Sequence, residues 1–288
     1  MELTKQNYFG QDAAQQYLSA SQLKRFMECE ALAMAEIRGE YKREKSPALL
    51  VGGFVDSYFS MEEKEFADNN PEIFKRDGTL KAEYTQATDI VDRILASPLL
   101  TAMMRGEVQK IVTGTIEGVP FRGKLDSLLN PWMCERIAEE YPDMANLITT
   151  VEVGGDGELI RKGTGAVVDL KCMRDFSPIY VPGAGRVSWI DAWNYPLQLA
   201  IYQQLIGGNL PCFIVGVTKE KVPDFGLFYL PQYQLDAALD TVRELIPRYQ
   251  AIKEGKVEPV GCGKCDWCKA SKIITGAVDA DELEGAGL

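Results

Sequence analysis

The chain has 288 residues, of which 46% are hydrophobic and 25% are charged, as in ordinary globular proteins. It contains no histidine, which excludes Ser-His-Asp and Cys-His nucleophilic catalysis and all histidine metal sites. The formal net charge of −11 counts against nucleic-acid binding, because phosphate neutralisation normally needs a basic surface. A local basic groove on an acidic body would still allow it.

The sequence predicts a cytoplasmic protein without a membrane span. No run approaches the roughly 20 apolar residues that cross a bilayer, and the N-terminus, Met1 to Gln6, lacks the basic and apolar regions of a signal peptide. The seven cysteines agree with this location. Three of them form one short run, and clustered thiols in a reducing compartment are better explained as metal ligands than as disulfides.

The N-terminal part, about residues 15–105, is predicted to be helical. A helix over 19–39 has a serine N-cap and a glycine at its end. A second apolar stretch over 48–61 follows Pro47, and a third helix is expected over 82–104.

From about residue 106 to 255 the pattern alternates between strands and helices. Strands are predicted over 111–116, 119–129, 151–153, 166–172, 213–218 and 225–230, and helices over 190–206 and 232–255. Residues 130–165 carry charge, proline and glycine, which suits an insertion at the sheet edge. The order predicts an α/β (α+β) fold with one mixed central sheet flanked by helices. We expect a single domain over 1–275 that includes a cysteine-rich clasp at 259–272, followed by a disordered tail at 276–288.

Two predicted strands carry carboxylates. Gly123 to Asp126 lies towards the end of the second strand, and Asp169-Leu170-Lys171 continues an apolar run. Because side chains alternate along a strand, Asp169 and Lys171 share one face. If the strands are neighbours, Asp126 and Asp169 converge on one cation of the Mg²⁺ or Mn²⁺ type. The alternative is a solvated strand edge or a surface ion pair.

The helix that follows adds Gln198 and Tyr202, which are four residues apart and share one helix face. Gly-x-x-Asp, Asp-x-Lys and Gln-x-x-x-Tyr in this order resemble the signature of the RecB-like branch of the PD-(D/E)XK nucleases. The resemblance implies a restriction-endonuclease-like fold. It also implies that Asp126, Asp169 and the carbonyl of Leu170 bind metal, that Lys171 is catalytic, and that Gln198 and Tyr202 line the active site.

The N-terminal part extends the resemblance. Leu18 to Phe26, with Cys29 close behind, is similar to the opening segment of phage RecE-like exonucleases. Leu49 to Asp56 resembles the helix where many RecB-like enzymes carry a metal-binding histidine, so Asp56 becomes a further candidate ligand. The alternative is a polar residue on an amphipathic helix. The implied function is a Mg²⁺-dependent exonuclease on double-stranded DNA ends. The implied setting is a phage or prophage protein in a bacterial cytoplasm, with a single-strand annealing recombinase as partner and homo-oligomers as a further possibility.

Two alternatives stay open at this point. An endonuclease on the same fold would use the same residues, since fold and site are shared across these activities. A catalytically degenerate, metal-bearing DNA-binding subunit is the other, although an intact Asp126, Asp169 and Lys171 argues against it. Six basic and aromatic residues could contact DNA by charge and stacking, and the alternative for each of them is a surface or core residue without a role. They are Arg174, Arg186, Trp189, Trp193, Lys219 and Lys221.

The three clustered cysteines are Cys262, Cys265 and Cys268. Their C-x₂-C-x₂-C spacing resembles the first part of a [4Fe–4S] ferredoxin motif, which takes its fourth cysteine from elsewhere. Several RecB-like nucleases clasp such a cluster with one N-terminal cysteine, a position that Cys29 matches. A [4Fe–4S] cluster is therefore the favoured prediction. A Cys₄ zinc site and unligated thiols remain as alternatives, although zinc ribbons usually present two separated C-x₂-C pairs.

Overall fold

The computed structural model describes residues 1–155 and 157–277. Their contacts form two compact units. Unit 1 comprises Met1–Arg43, Thr113–Arg122 and the described residues from Asp240 onwards, and unit 2 comprises Glu44–Val112 and Gly123–Leu239. The single domain over 1–275 stays a prediction beside this division. Residues 278–288, most of the predicted tail, lie outside the described residues.

The N-terminal helices of unit 1 are α1 (Gln11–Gln16), α2 (Ala20–Glu28) and α3 (Glu30–Arg38). The prediction of one helix over 19–39 is therefore wrong in its middle, because Cys29 has an extended backbone (φ −168°, ψ 111°). Its N–H still bonds to Arg25 O and its carbonyl already accepts from Ala33 N, so one residue ends α2 and begins α3. No proline or glycine marks this break in the sequence.

The core of unit 1 holds two aromatic contacts and one half-buried lysine side chain. The rings of Phe26 and Tyr249 stack with centroids 4.7 Å apart, and the guanidinium of Arg122 lies over the Tyr8 ring at 4.8 Å. Lys253 Nζ donates to the carbonyls of Ala14 (3.0 Å) and Tyr17 (2.7 Å). The carbonyl of Ala14 also accepts from Gln22 Nε2 at 2.7 Å, so the lysine and the glutamine share this acceptor.

Unit 2 begins with four helices, which are α4 (Pro47–Phe59), α5 (Glu63–Asn69), α6 (Gln86–Leu95) and α7 (Pro98–Met103). Residues 82–104 are not the single helix that was predicted. Pro98 lacks the N–H that a continuous helix would need at this point, and Ser97 instead caps α7 by accepting from Leu100 N at 3.4 Å. Ser46 caps α4 in the same way, by accepting from Leu49 N.

Nine strands are found in the described residues. They are β1 (Glu107–Ile116), β2 (Val119–Leu129), β3 (Thr149–Val153), β4 (Leu159–Gly163), β5 (Ala166–Met173), β6 (Ile179–Val181), β7 (Gly185–Val187), β8 (Cys212–Thr218) and β9 (Phe225–Leu230). The central sheet has the order β1-β2-β5-β8-β9. Strand β5 is antiparallel to β2 and parallel to β8, and β9 is antiparallel to β8. The prediction of a mixed α/β fold on one mixed central sheet is confirmed.

The remaining helices are α8 (Pro131–Glu140), α9 (Ala145–Ile148), α10 (Trp189–Ala192), α11 (Tyr195–Ile206), α12 (Gln232–Lys253) and α13 (Asp266–Ala270). The insertion over 130–165 contains α8, α9 and a hairpin of β3 and β4 that forms a separate two-stranded sheet. The helix predicted over 190–206 is divided because Asn194 is left-handed (φ 50°, ψ 43°). Asparagine tolerates this conformation better than most residues.

The sheet of unit 2 is covered by apolar side chains of α4, α6, α7 and α8. Val168 and Val215 from the central strands are fully buried, as are Val55 of α4 and Ile90 of α6. This burial fixes which face of β5 points into the core and leaves the other face for polar residues. Among the described residues, no helix combines the length and the apolar character that crossing a membrane requires.

Candidate active site

The two aspartates of the predicted motif are brought together by neighbouring strands. Strands β2 and β5 pair Leu128 with Val167 and Ser127 with Val168, and the next residues along the two strands are Asp126 and Asp169. Asp126 bends to the backbone of β5, where its Oδ2 accepts from Leu170 N at 2.8 Å. The carboxylate of Asp126 is thus fixed at the amide between Asp169 and its successor.

Asp169 is the most buried acid of the site, with 1% of its surface exposed. Its Oδ1 accepts from Gln198 Nε2 at 2.9 Å. Its Oδ2 lies 2.5 Å from Lys171 Nζ in an ion pair, but no donor among the described residues meets this atom with hydrogen-bond geometry. A buried carboxylate oxygen with unused acceptor capacity is what a metal ligand requires.

Lys171 points to the same side of β5 as Asp169, as alternation predicts. Its Nζ also donates to Leu170 O at 3.1 Å and lies 5.4 Å from the centroid of the Tyr195 ring. Burial acts to lower the pKa of this amine, but the carboxylates of Asp169 and Asp126 outweigh burial and raise it. The side chain therefore stays a cation at neutral pH.

The carboxylates repel one another. Burial, followed by the charges of Asp169 and Asp56, raises the pKa of Asp126 well above its ordinary value. Burial also raises the pKa of Asp56, which Lys124 and Lys171 counteract. The three carboxyl groups therefore lie close together, and the nearby lysines do not balance their negative charge. The remaining negative charge fits a divalent cation held by hard oxygen donors.

Helix α11 supplies Gln198 and Tyr202, which are joined by a hydrogen bond from Gln198 Nε2 to Tyr202 Oη at 3.2 Å. The glycine of the Gly-x-x-Asp pattern has a steric reason here. A Cβ on Gly123 would lie 2.8 Å from the Tyr202 ring and 3.2 Å from a methyl of Val112. Only glycine lets β2 pass the tyrosine at this distance.

The structure brings together all five residues predicted to be catalytic, and Asp56 faces them from α4. Three further residues belong to this environment and were missed. Lys124 shares the face of β2 with Asp126, so strand alternation could have found it. Tyr195 begins α11, and Gln109 donates its Nε2 to Asp56 Oδ1 at 3.2 Å. Nothing in the sequence pattern indicates Gln109.

A cleft of about 540 Å³ adjoins the site. Cys172 and Met173, the residues that follow Lys171, form one wall, and Tyr195 forms another. Three of the six residues predicted to contact DNA line the cleft, namely Arg174, Trp193 and Lys219. The side chain of Trp193 is 54% exposed.

The other three residues predicted to contact DNA do not line this cleft. Trp189 is 5% exposed and packs against Phe176, Tyr195 and Phe228. The burial of Trp189 favours the alternative that it is a core residue without a role at DNA, since its ring completes an aromatic cluster. Arg186 on β7 and Lys221 are exposed.

A second site lies within unit 1, where Cys29, Cys262, Cys265 and Cys268 have all four sulfur atoms within 4.8 Å of one another. The Sγ of Cys29 is 3.6 Å from that of Cys268 and 3.8 Å from that of Cys265. Backbone N–H groups of Lys264 and Cys265 bond to Cys262 Sγ and lower its pKa to about 6. A thiolate ligand is therefore available at neutral pH.

These sulfur distances test which metal the four thiols would suit. Tetrahedral Zn–S bonds of about 2.3 Å place the sulfur atoms about 3.8 Å apart, which matches the two closest separations from Cys29. A [4Fe–4S] cluster gives each thiolate its own iron, so the sulfur atoms must stand farther apart than around one ion. The observed spacing fits one tetrahedral ion more closely, and the identity of the metal stays a prediction.

Fold and site together define a member of the PD-(D/E)XK nuclease superfamily. Residues 19–133 and 148–271 match the family described as "PDDEXK-like domain of unknown function (DUF3799)", and the chain belongs to this family. It is also similar to a protein from Eubacterium rectale whose crystal structure is described as that of a "putative exonuclease". The two are 32% identical with a TM-score of 0.82, and the match covers 100% of each chain. No curated protein matches the chain.

The family and the solved structure support a nuclease in general. The restriction-endonuclease-like fold and the resemblance to PD-(D/E)XK enzymes, both predicted from short motifs, are confirmed by them. The roles of individual residues are not tested by these matches and stay predictions.

Proposed function

We propose that the chain is a divalent-metal-dependent deoxyribonuclease that digests double-stranded DNA from its ends. The observation that carries the proposal is the arrangement on β5. Asp169 and Lys171 share one face of this strand, and Asp126 is hydrogen-bonded to the amide between them at 2.8 Å. These groups can hold a cation and a phosphodiester side by side.

Asp126, Asp169 and the carbonyl of Leu170 are the groups that would hold Mg²⁺ or Mn²⁺, with Asp56 as a further carboxylate. The fit rests on the surplus negative charge and on Oδ2 of Asp169, a buried oxygen that no donor among the described residues meets with hydrogen-bond geometry. When bound, the ion polarises the phosphodiester and makes water a better nucleophile.

The chain's own residues supply position and charge. In the reaction a bond forms between the water oxygen and phosphorus, one P–O ester bond breaks, and the leaving oxygen takes up a proton. Lys171, a cation held at Asp169, stabilises the negative charge that develops on the phosphate oxygens and orients the water. Gln198 fixes Asp169 through Oδ1, and Gly123 lets Tyr202 reach Gln198.

The cleft beside Lys171 gives DNA a route to the site. Lys219 and Arg174 bring positive charge to the cleft of a chain whose net charge is −11, although Asp175 also lines the cleft and pairs with Arg174 at 2.7 Å. Trp193 offers an exposed ring for stacking on a base. The wall shared with Tyr195 would bring the DNA backbone next to the Lys171 amine. The acidic body of the protein is therefore compatible with binding DNA at this one place.

Action on DNA ends is favoured by the full-length similarity to the Eubacterium rectale protein named as a putative exonuclease. We place the enzyme in phage-type recombination in a bacterial cytoplasm, where its resected ends would serve a single-strand annealing recombinase. A ring-shaped homo-oligomer would suit processive digestion.

The test compares linear duplex with a closed circle of the same sequence, each with Mg²⁺ or with a chelator. We expect Mg²⁺-dependent loss of the linear form while the circle stays intact. Lys171→Met, which keeps the length of the side chain and removes its charge, should abolish digestion without loss of folding. Cutting of the circle would make the enzyme an endonuclease. Inactivity on both substrates, unchanged by Lys171→Met, would leave a DNA-binding subunit.

For the cysteine site we propose a structural metal, as the mutual distances of the four thiols favour. Metal analysis of protein purified without oxygen distinguishes the candidates. Zinc at one equivalent per chain supports the single ion, whereas iron with a broad visible absorbance supports the [4Fe–4S] cluster. If the protein contains neither zinc nor iron, the thiols are unligated.

A further inference from the structure

Gln109 combines three unusual properties on β1. It is 3% exposed, its backbone is left-handed with φ 52°, and its Oε1 has no hydrogen-bond partner among the described residues. A left-handed backbone is unfavourable for a residue with a side chain, and a buried amide oxygen without a donor is unfavourable as well. Local stability therefore does not account for a glutamine here.

The contact of Gln109 supplies a reason. Its Nε2 donates to Asp56 Oδ1 at 3.2 Å, and Asp56 is the only group of the proposed site that is carried by α4. The charge of Asp56 interacts with Lys171 and Asp169. Gln109 thus links β1 to Asp56, the acid that faces the site from α4.

The backbone near Gln109 is tied to the strand that carries Asp126. Gly106 N donates to Ser127 Oγ at 3.0 Å, and Ser127 Oγ donates to Met103 O at 2.9 Å. A Cβ on Gly106 would lie 2.5 Å from Leu128 O, so the chain passes β2 very closely here. The start of β1 is therefore held beside Asp126, and the left-handed backbone at 109 directs its amide to Asp56.

We propose that Gln109 is a positioning residue that holds Asp56 in the orientation needed for metal binding. This inference rests on the proposed function, because it concerns the same metal site. Strained backbone concentrates where function requires a fixed orientation, and groups that hold a metal ligand in place typically change metal affinity by about 10- to 100-fold when they are removed.

Two substitutions separate positioning from structural support. Gln109→Met keeps the size of the side chain and the strained backbone, but it removes the donor to Asp56 together with the unsatisfied oxygen. Gln109→Gly also removes the strain, because glycine adopts positive φ freely. We expect Gln109→Met to melt at or above the temperature of the wild type, and both variants to bind Mn²⁺ at least about 10-fold more weakly in calorimetric titration. The Mg²⁺ concentration that gives half-maximal digestion should rise in parallel.

Met61→Gly is the matched control. Met61 has φ 58° and is 78% exposed, so its replacement relieves the same kind of strain away from the site. Wild-type Mn²⁺ affinity in Gln109→Met would overturn the inference and leave the nuclease proposal intact. Weakened Mn²⁺ binding in a chain that digests no DNA would support the positioning role and remove the proposed function. A wild type that binds no Mn²⁺ would overturn both.

Discussion

The site around Asp169 takes its side chains from five helices and strands, whereas the four-cysteine site takes three of its ligands from one short segment of unit 1. The first site crowds buried carboxylates together, and their mutual repulsion raises the pKa of Asp126. In the second site, burial raises the pKa of Cys29, and that of Cys265 to about 12, so these thiols are neutral without metal.

The difference teaches what each site does to the fold. Neutralising an acid in the oxygen site should stabilise the metal-free chain, because it removes a repulsion between buried charges. Removing a sulfur ligand should destabilise the metal-loaded chain, because binding free energy there is folding free energy. Under the functions proposed for the two sites, the oxygen site would serve chemistry at the expense of stability, and the sulfur site would serve stability.

The largest effect is expected for Asp126→Asn. The digestion rate should fall by at least about 10²-fold, as in other sites that lose one charge-stabilising group. The melting temperature of the metal-free protein should rise, since Lys171 keeps Asp169 as its partner. Asp92→Asn, an exposed acid of α6, should change neither quantity. A lower melting temperature in Asp126→Asn would contradict the claim that repulsion between the acids of the oxygen site destabilises the metal-free chain.

The next effect concerns the sulfur site. Cys29→Ala should lower the stability of the metal-loaded protein by at least about 3 kcal/mol, which corresponds to a melting temperature about 6–12 °C lower. Cys134→Ala is the control, because this thiol is also buried but stands outside the cluster. The measurement is a thermal melt with and without a chelator. Equal shifts in the two variants would show that no metal stabilises unit 1.

A smaller effect is expected at Gly123. In Gly123→Ala the new methyl meets the Tyr202 ring at 2.8 Å, and such overpacking destabilises by about 1–3 kcal/mol. Denaturant titration measures this loss, and digestion should slow because Tyr202 must move away from Gln198. Gly52→Ala in α4 is the matched control, because its Cβ would have ordinary contacts with Cys172. If Gly123→Ala is as stable as the wild type, β2 can shift to accommodate the methyl group at little cost in free energy.

The smallest effect is the dependence of stability on pH that Lys253 of unit 1 should cause. Burial lowers the pKa of Lys253 to about 8, with a contribution from Arg122. Between this value and the ordinary lysine pKa, the unfolded chain binds more protons than the folded chain. Stability should therefore rise with pH across this window and be lowest below about pH 8.

Denaturation between about pH 7 and pH 10 measures this rise, which should be about 1–2 kcal/mol after allowance for partial exposure. Lys253→Met should lack the rise, while the titration of all other groups stays common to both proteins. Parallel pH profiles would show that the Lys253 amine titrates as in the unfolded chain.

Much of the architecture could be predicted because it follows from local patterns. The apolar run before Asp169 fixed a buried strand, and alternation placed Lys171 on the same face. The breaks at Cys29 and Asn194 could not be predicted, since neither residue is a strong helix breaker. The backbone conformation of each residue depends on tertiary contacts. Helical periodicity in the sequence carries no information about such contacts.

The candidate site shows the same limit. Asp126, Asp169 and Lys171 could be found because their spacing has a meaning on strands. Gln109 could not, because its contact with Asp56 joins a strand to a helix far away in the sequence. The burial of Trp189 was equally hidden, since the aromatic cluster around it draws on Phe176 and Phe228.

The hydrogen bond from Leu170 N to Asp126 Oδ2 makes one backbone amide a spectroscopic reporter. Strand β5 is the middle strand of its sheet, so this amide is shielded from solvent, yet its partner is a carboxylate whose charge would change on binding the proposed metal. The chemical shift and the hydrogen–deuterium exchange of this single amide should therefore follow the state of the Asp126 carboxylate. An NMR titration could read that state without any DNA present.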